Sequence, residues 1–169
     1  MHQPKEILRR RAQELARKQE STDVHAERLS VIQFVLHPEH YLLEERFVKE
    51  VFTLDDITAI PGIPSFVMGI VNRRGSVIAA FNLKELFQLQ ETGLTEFNKI
   101  MIVSDGERAM GVVTDKIHSV IQLDVSKLSP APNTASEAGR DFIKGVTPEG
   151  LILLDAEKML NSNRLVIDQ

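Results

Sequence analysis

Five histidines, two adjacent glutamates and two adjacent arginines are the residues of this sequence whose types and spacing could support chemistry. His37 and His40 bracket Pro38 and Glu39, a separation found in some metal sites. Proline forbids the helix that would set both imidazoles on one face, and no third ligand is suggested, so a solvated turn is the expectation. Thr114, Asp115 and His118 could be cast as nucleophile, orienting carboxylate and base. On one strand, however, positions three apart point to opposite faces unless a bulge intervenes. Glu44 and Glu45 read as a solvated pair in a turn, whereas general acid catalysis needs a buried carboxyl. The absence of cysteine removes thiolate catalysis, cysteine-ligated zinc and iron–sulfur clusters. The stretch from Gly62 to Gly75 lacks the Gly-Lys-Ser/Thr ending of a phosphate loop, and there is no dinucleotide fingerprint. The residues predict no enzyme, no cofactor and no metal.

The run Asn72-Arg73-Arg74-Gly75, between two very apolar segments, is of another kind. A hairpin needs a residue tolerant of positive φ, which Gly75 supplies, but turn geometry does not require two arginines. The planar guanidinium fork suits carboxylates and interface hydrogen bonds. A partner contact and a solvated tip that discourages aggregation are both consistent with these residues.

The elements that must carry this tip follow from patterning. The chain has 169 residues, 43% hydrophobic and 26% charged, enough for a core without disulfide staples. The net charge is -4, divided between a mildly basic head over residues 1–28 and an acidic remainder, which excludes a binder dominated by nucleic-acid phosphates. The longest nearly apolar stretch, Ala59 to Val71, is broken by Pro61 and Pro64, so no membrane insertion is predicted. The start lacks the apolar run of a secretory signal, and a cytoplasmic location is expected. Pro4 to Gln19 predicts a helix, with Leu8, Ala12 and Leu15 on one side, and Ser21 to Arg28 a linker. From Leu29 onward the period becomes that of strands, at Val31–Leu36, Tyr41–Leu43, Phe47–Phe52, Phe66–Val71, Val77–Phe81, Ile100–Val103, Met110–Val113, Ile117–Leu123 and Leu151–Leu154. Short strands with little helix between them predict antiparallel barrels or sandwiches rather than a parallel βαβ sheet.

The chain also contains a diverged copy of itself, offset by about seventy-five residues. Phe66 to Val71, the turn to Gly75, Val77 and Ile78, then Asn82 and Leu83 through Leu86 and Phe87 form the first unit. Phe142 to Val146, the turn to Gly150, Leu151 to Leu154, then Asp155 through Met159 and Leu160 form the second. Asn82, with Glu85 three residues on, and Asp155 suit helix caps. The reading is a mostly β fold of two pseudo-repeated five-stranded barrels sharing a hydrophobic core, with an N-terminal helix and short connecting helices. Residues 1–28 are the head and linker, 29–161 the two lobes and 162–169 a tail.

Ile57, Pro61, Pro64, Phe66, Gly69, Ile70, Asn72, Arg74, Gly75, Val77, Ile78 and Leu83 resemble the hairpin signature of the CheW-like family. Gly111 to Val113, Asp115, Ile117 and Val120, and the closing stretch Phe142 to Leu160, are similar to later family segments. The resemblance implies two five-stranded barrels around a common core and a non-catalytic task. That task is coupling the cytoplasmic tip of a chemoreceptor helical bundle to the histidine kinase CheA, at receptor arrays beneath the inner membrane. It further implies partner contacts at Gly69, Asn72, Arg74 and Gly75 of the hairpin, at Val48 and Glu50, which match a Val-x-Glu, and at Val120 as a groove residue. Arg73 stands where the family usually has Leu, Ala79 where it has Pro and Asn82 where it has Asp. A charged side chain in place of a packed Leu needs a partner or a route to solvent. The alternatives are a scaffold of the same kind in a non-chemotactic kinase pathway, such as pili motility or biofilm control, and a small-molecule or enzymatic barrel using Asp115 and His118.

Overall fold

A computed structural model describes residues 9–13, 27–90, 98–133, 136–163 and 165. Residues 9–13 are helical (α1) and exposed; the remainder of the predicted head helix and most of the linker lie outside the described residues. Ten strands follow, β1 (Arg28–Leu36), β2 (Glu39–Glu44), β3 (Val48–Thr53), β4 (Val67–Arg73), β5 (Ser76–Phe81), β6 (Lys99–Ser104), β7 (Ala109–Thr114), β8 (Lys116–Asp124), β9 (Ile143–Val146) and β10 (Ile152–Leu154). Three short helices interrupt them, α2 (Leu83–Leu86), α3 (Glu137–Arg140) and α4 (Ala156–Asn161). Each strand assigned from periodicity overlaps an observed strand, with Phe47, Phe66 and Leu151 falling one residue outside.

The strands form two five-stranded sheets, ordered β8-β1-β2-β10-β9 and β3-β6-β7-β5-β4. Each contains two antiparallel hairpins joined by one parallel junction, β2 with β10 and β5 with β7. The second sheet takes β3 to β7 in chain order, while the first takes β8, β9 and β10 and then the N-terminal pair β1 and β2. The lobes are therefore circular permutations of one plan. In both, the chain beyond an edge strand bridges the opposite edge, Thr58 to Ile70 and Ser129 to Val146.

The repeat holds at the level of single residues. Both β4/β5 and β9/β10 carry a register shift, between Val67 and Gly69 in one and opposite Ile143 and Gly145 in the other. Asn82 N–H donates to Phe66 O at 2.7 Å and Asp155 N–H to Phe142 O at 2.8 Å. Asn82 Oδ1 then accepts from Lys84 N–H and Asp155 Oδ1 from Lys158 N–H, capping α2 and α4.

Burial follows the same plan. Ile78, Ala80, Ile100 and Val113 fill the second sheet, and Val31, Leu42, Leu123 and Leu153 the first. A larger cluster lies between the sheets, including Phe34, Tyr41 and Leu154 from one and Phe81, Met101 and Val112 from the other. Alternation along β5 explains the division, since Ile78 and Ala80 face their own sheet while Phe81 joins the seam. The tail contributes as well, because Leu165 is buried in this shared cluster.

Gly69 and Gly145 sit where the bridging segment crosses. A Cβ on Gly69 would lie 2.3 Å from the Thr58 carbonyl oxygen, and its φ is +150°. On Gly145 the nearest atom would be Leu128 Cβ at 2.9 Å, with Ser129 O at 3.2 Å. Gly69→Ala should destabilise the protein by roughly 3 kcal/mol, combining overpacking against a backbone atom with backbone strain, and urea unfolding checks this.

Candidate functional site

The β4–β5 hairpin closes over two residues, Arg74 and Gly75, with Arg73 paired to Ser76. Their φ values are +53° and +81°, the signature of a type I′ turn, whose twist suits a hairpin. An arginine in the left-handed region costs about 1–2 kcal/mol relative to right-handed backbone. Turn chemistry alone would favour Asn or Gly at position 74. Arg74 is 81% exposed at the tip.

Arg73 points the other way. Along β4, Ile70 lines the groove described below, while Val71 is buried in the core of the second sheet; Arg73 follows Val71 by two residues and so shares its side. Its guanidinium lies 4.3 Å from the centroid of Phe52 on β3. Arg73 Nε and NH2 donate to Glu50 Oε1 at 2.8 and 2.6 Å, and Arg74 NH2 stands 3.8 Å from the same oxygen. The Glu50 carboxyl is held below its usual range, first by the hydrogen bond from Arg73 and then by the charges of Arg73 and Arg74. The arginine in place of Leu thus has both a partner and a path to solvent, with its guanidinium over an aromatic ring. Val48 packs against the shared core from the start of β3.

Beside the hairpin runs a groove of about 350 Å³. Val77, Ala79 and Phe81, alternate residues of β5, form one wall, and Met159, Leu160 and Leu165 form another. Arg108 fixes that second wall by donating to Leu160 O at 3.2 Å and to Asn161 Oδ1 at 2.9 Å. Asn72 is exposed and paired with Val77, which puts it at the groove's rim near the tip.

Val120 is not among the groove residues. It lies half-exposed on β8, an edge of the first sheet. The register of the two lobes gives it a counterpart that patterning missed, Val51 on β3, also exposed: Val51 pairs with Met101 and Val120 with Ile32, at matching positions of the two plans. The structure thus brings Glu50, Asn72, Arg74 and Gly75 to one end of the second sheet. It gives Gly69 a packing task within the bridge and sets Val120 on the other lobe.

The residues first considered for chemistry are otherwise engaged. Asp115 Oδ2 lies 2.6 Å from Lys84 Nζ and accepts from His37 N–H at 2.7 Å, while Oδ1 accepts from Asn98 Nδ2 at 3.4 Å. Lys84 is only 4% exposed. The carboxylate therefore joins the first lobe's β1–β2 turn to the second lobe's helix. His118 instead stacks on His40, ring centroids 5.9 Å apart. Glu44 corrects the expectation of a solvated turn: it ends β2, is 6% exposed in its side chain, and is held by Arg46 Nε at 2.6 Å and Lys144 Nζ at 3.1 Å. Burial alone would raise its pKa, but the hydrogen bonds and charges of Arg46 and Lys144 prevail and hold it below the usual carboxylate range. Among the described residues no group of three or more His, Asp or Glu could hold a metal ion, and no helix is long and apolar enough to cross a membrane.

Comparison with known proteins gives a consistent result. The family model described as the CheW-like domain matches residues 30–164. The chain is 30% identical over 149 residues to the chemotaxis protein CheW of Treponema pallidum, covering 84% of this chain and 88% of that protein. It is 29% identical over 137 residues to the chemotaxis protein CheW of Klebsiella aerogenes, covering 79% and 82%. The crystal structure of the scaffolding protein TtCheW from Thermoanaerobacter tengcongensis superposes with a TM-score of 0.70 at 29% identity, over 82% of this chain and 96% of that one.

Two stability measurements check the assignment of these buried charges. Asp115→Ala removes the carboxylate 2.6 Å from the buried Lys84 ammonium and should cost about 3 kcal/mol, whereas Lys84→Met, which leaves behind a partly exposed carboxylate, should cost less. Since the Glu44 pKa is lower in the folded than in the unfolded chain, its contribution is full above about pH 4.5 and disappears as pH falls through the folded value. Glu44→Gln should therefore flatten the loss of stability below pH 4.5, read from urea midpoints across the acid range.

Proposed function

The chain belongs to the CheW-like domain family, and from that premise we propose that it is a non-catalytic coupling adaptor of chemotaxis signalling that joins the cytoplasmic tip of a chemoreceptor helical bundle to the histidine kinase CheA. The observation that carries the reading is the family match over residues 30–164, which spans both sheets and the seam between them. The site chemistry supports it. The groove beside β5 offers an apolar floor with Asn72 and Arg108 at its margins, suited to the face of an amphipathic helix. The edge strands β3 and β8 offer Val51 and Val120 as apolar contacts for the kinase. Arg74 serves as the polar contact that fixes a partner's orientation, and Glu50 tethers the tip from β3. With such partners the protein works at receptor arrays beneath the inner membrane.

Arg74's backbone gives the reading a sharp test, because a left-handed arginine is a local cost that a partner contact would justify. Arg74→Asn should leave the protein as stable as before or up to about 1 kcal/mol more stable, as asparagine is favoured in such turns. The same variant should lose roughly tenfold in affinity for a receptor signalling fragment, as expected for truncating an interface arginine. Retention of both a receptor signalling fragment and a CheA regulatory domain by the immobilised wild-type chain is the expected outcome of a pull-down. A chain that retains neither overturns the assignment.

A further inference from the structure

Resting on the reading that Arg74 meets a partner, we propose that Arg73 is the specificity-determining residue of this hairpin: by occupying Glu50 it keeps Arg74 free to engage a carboxylate on the partner. Two guanidinium groups stand near one carboxylate oxygen, and the geometry decides between them. Arg73 reaches Glu50 Oε1 with two nitrogens, at 2.8 and 2.6 Å, while Arg74 approaches it with one, at 3.8 Å. Arg73 is also held from a second side by the Phe52 ring, 4.3 Å away, and is 39% exposed against 81% for Arg74. A planar fork clamped between a carboxylate and an aromatic face gives up little further freedom on pairing. A solvent-exposed side chain at the tip cannot compete with it.

The residue that the family resemblance leads one to expect at this position, Leu, would remove the clamp. Arg74 would then be the cation already within 3.8 Å of Glu50, and a small rotation would close the pair. The same backbone thus admits two arrangements, one with an internally neutralised tip and one with a cationic tip, and the arginine at position 73 selects the second. Glu50, Arg73 and Arg74 together carry one net positive charge, and it is presented at Arg74. The complementary group on a partner is a carboxylate, which a guanidinium fork can bind through two parallel hydrogen bonds once water is excluded. The depressed pKa of Glu50 is consistent with this order of contacts.

The competition can be read without any partner by titrating the Glu50 carboxyl carbon by NMR. In Arg73→Leu, Arg74 should take over the carboxylate, so that the pKa stays depressed. In Arg73→Leu/Arg74→Asn it should return to the ordinary glutamate value near 4.3. A return to that value in Arg73→Leu alone would overturn the competition. The recognition half is read from affinity for a receptor signalling fragment. Arg73→Leu should weaken binding about fivefold or more with Arg74 intact, and Arg73→Lys, which can still pair with Glu50, should restore most of the loss. Binding by Arg73→Leu equal to wild type overturns the proposal. A wild-type chain that binds no fragment overturns the coupling reading and with it the recognition role, while the titration still decides which arginine holds Glu50.

Discussion

The burial of the seam between the two sheets is the constraint on which the other features depend. Each sheet is only five short strands, with a parallel junction at its middle whose outer face is apolar. Neither lobe covers that face by itself. The helix that follows the repeated hairpin of each lobe, α2 after β4–β5 and α4 after β9–β10, therefore crosses to the other lobe. The chain leaving β5 through α2 delivers Phe87 onto Tyr41 of the first sheet, with ring centroids 5.3 Å apart. The chain leaving β10 through α4 delivers Met159 and Leu160 beside Phe81 and Met110 of the second. At about 1.5–3 kcal/mol for each fully buried apolar side chain, the exchange makes each lobe dependent on the other. The Lys84–Asp115 pair lies at this crossing, where a low local dielectric strengthens the attraction and raises the penalty for losing either partner.

The groove is a by-product of the same exchange. Where α4 lies against β5 the contact is incomplete, and the gap between Val77, Ala79 and the Leu160–Leu165 wall remains open. A second, smaller gap of about 240 Å³ lies at the corresponding crossing of α2, lined by Tyr41, Phe87, Ile143 and Ile152. Only the first adjoins a hairpin that ends in a strained, exposed arginine. The open groove and the packed seam are thus set side by side by one helix crossing.

Much of this was legible in the residues, and the illegible part has a physical pattern. Short-range signals read correctly: the two apolar strands β4 and β5, Gly75 at the turn, and the caps Asn82 and Asp155. The internal copy was visible because glycine positions and caps are fixed by backbone geometry that few other residues satisfy. What failed to show were contacts between residues far apart in the chain. Glu44 looked solvated because its neighbour Glu45 is charged and a turn was near; its burial depends on Lys144, a hundred positions away. Strand geometry argued against Asp115 as a catalytic partner of His118 but offered it no other task, which came only when the fold delivered Lys84 and the His37 amide to it. Arg73 looked like a departure from the family pattern without a partner, and its partners, Glu50 and Phe52, lie across the closure of the second sheet. Val51 acquires its meaning only from the register that equates it with Val120.

The duplication also separates what each lobe needs to fold from what it carries beyond that. Two pairs of positions that the lobes share, Gly69 with Gly145 and Asn82 with Asp155, are those that any such sheet needs to close or to cap its helix. Positions at which the copies differ are free of that requirement. Glu50 has Ser119 as its counterpart, one residue before the paired valines. The two-residue turn at Arg74-Gly75 corresponds to a longer loop through Thr147, Pro148, Glu149 and Gly150, in which Thr147 N–H donates to Leu151 O. One lobe therefore carries a clamped glutamate and a left-handed arginine, and the other a serine and an acidic loop, on sheets of the same plan. That contrast is concentrated at one hairpin beside the open groove, where it supports the recognition role proposed for Arg74.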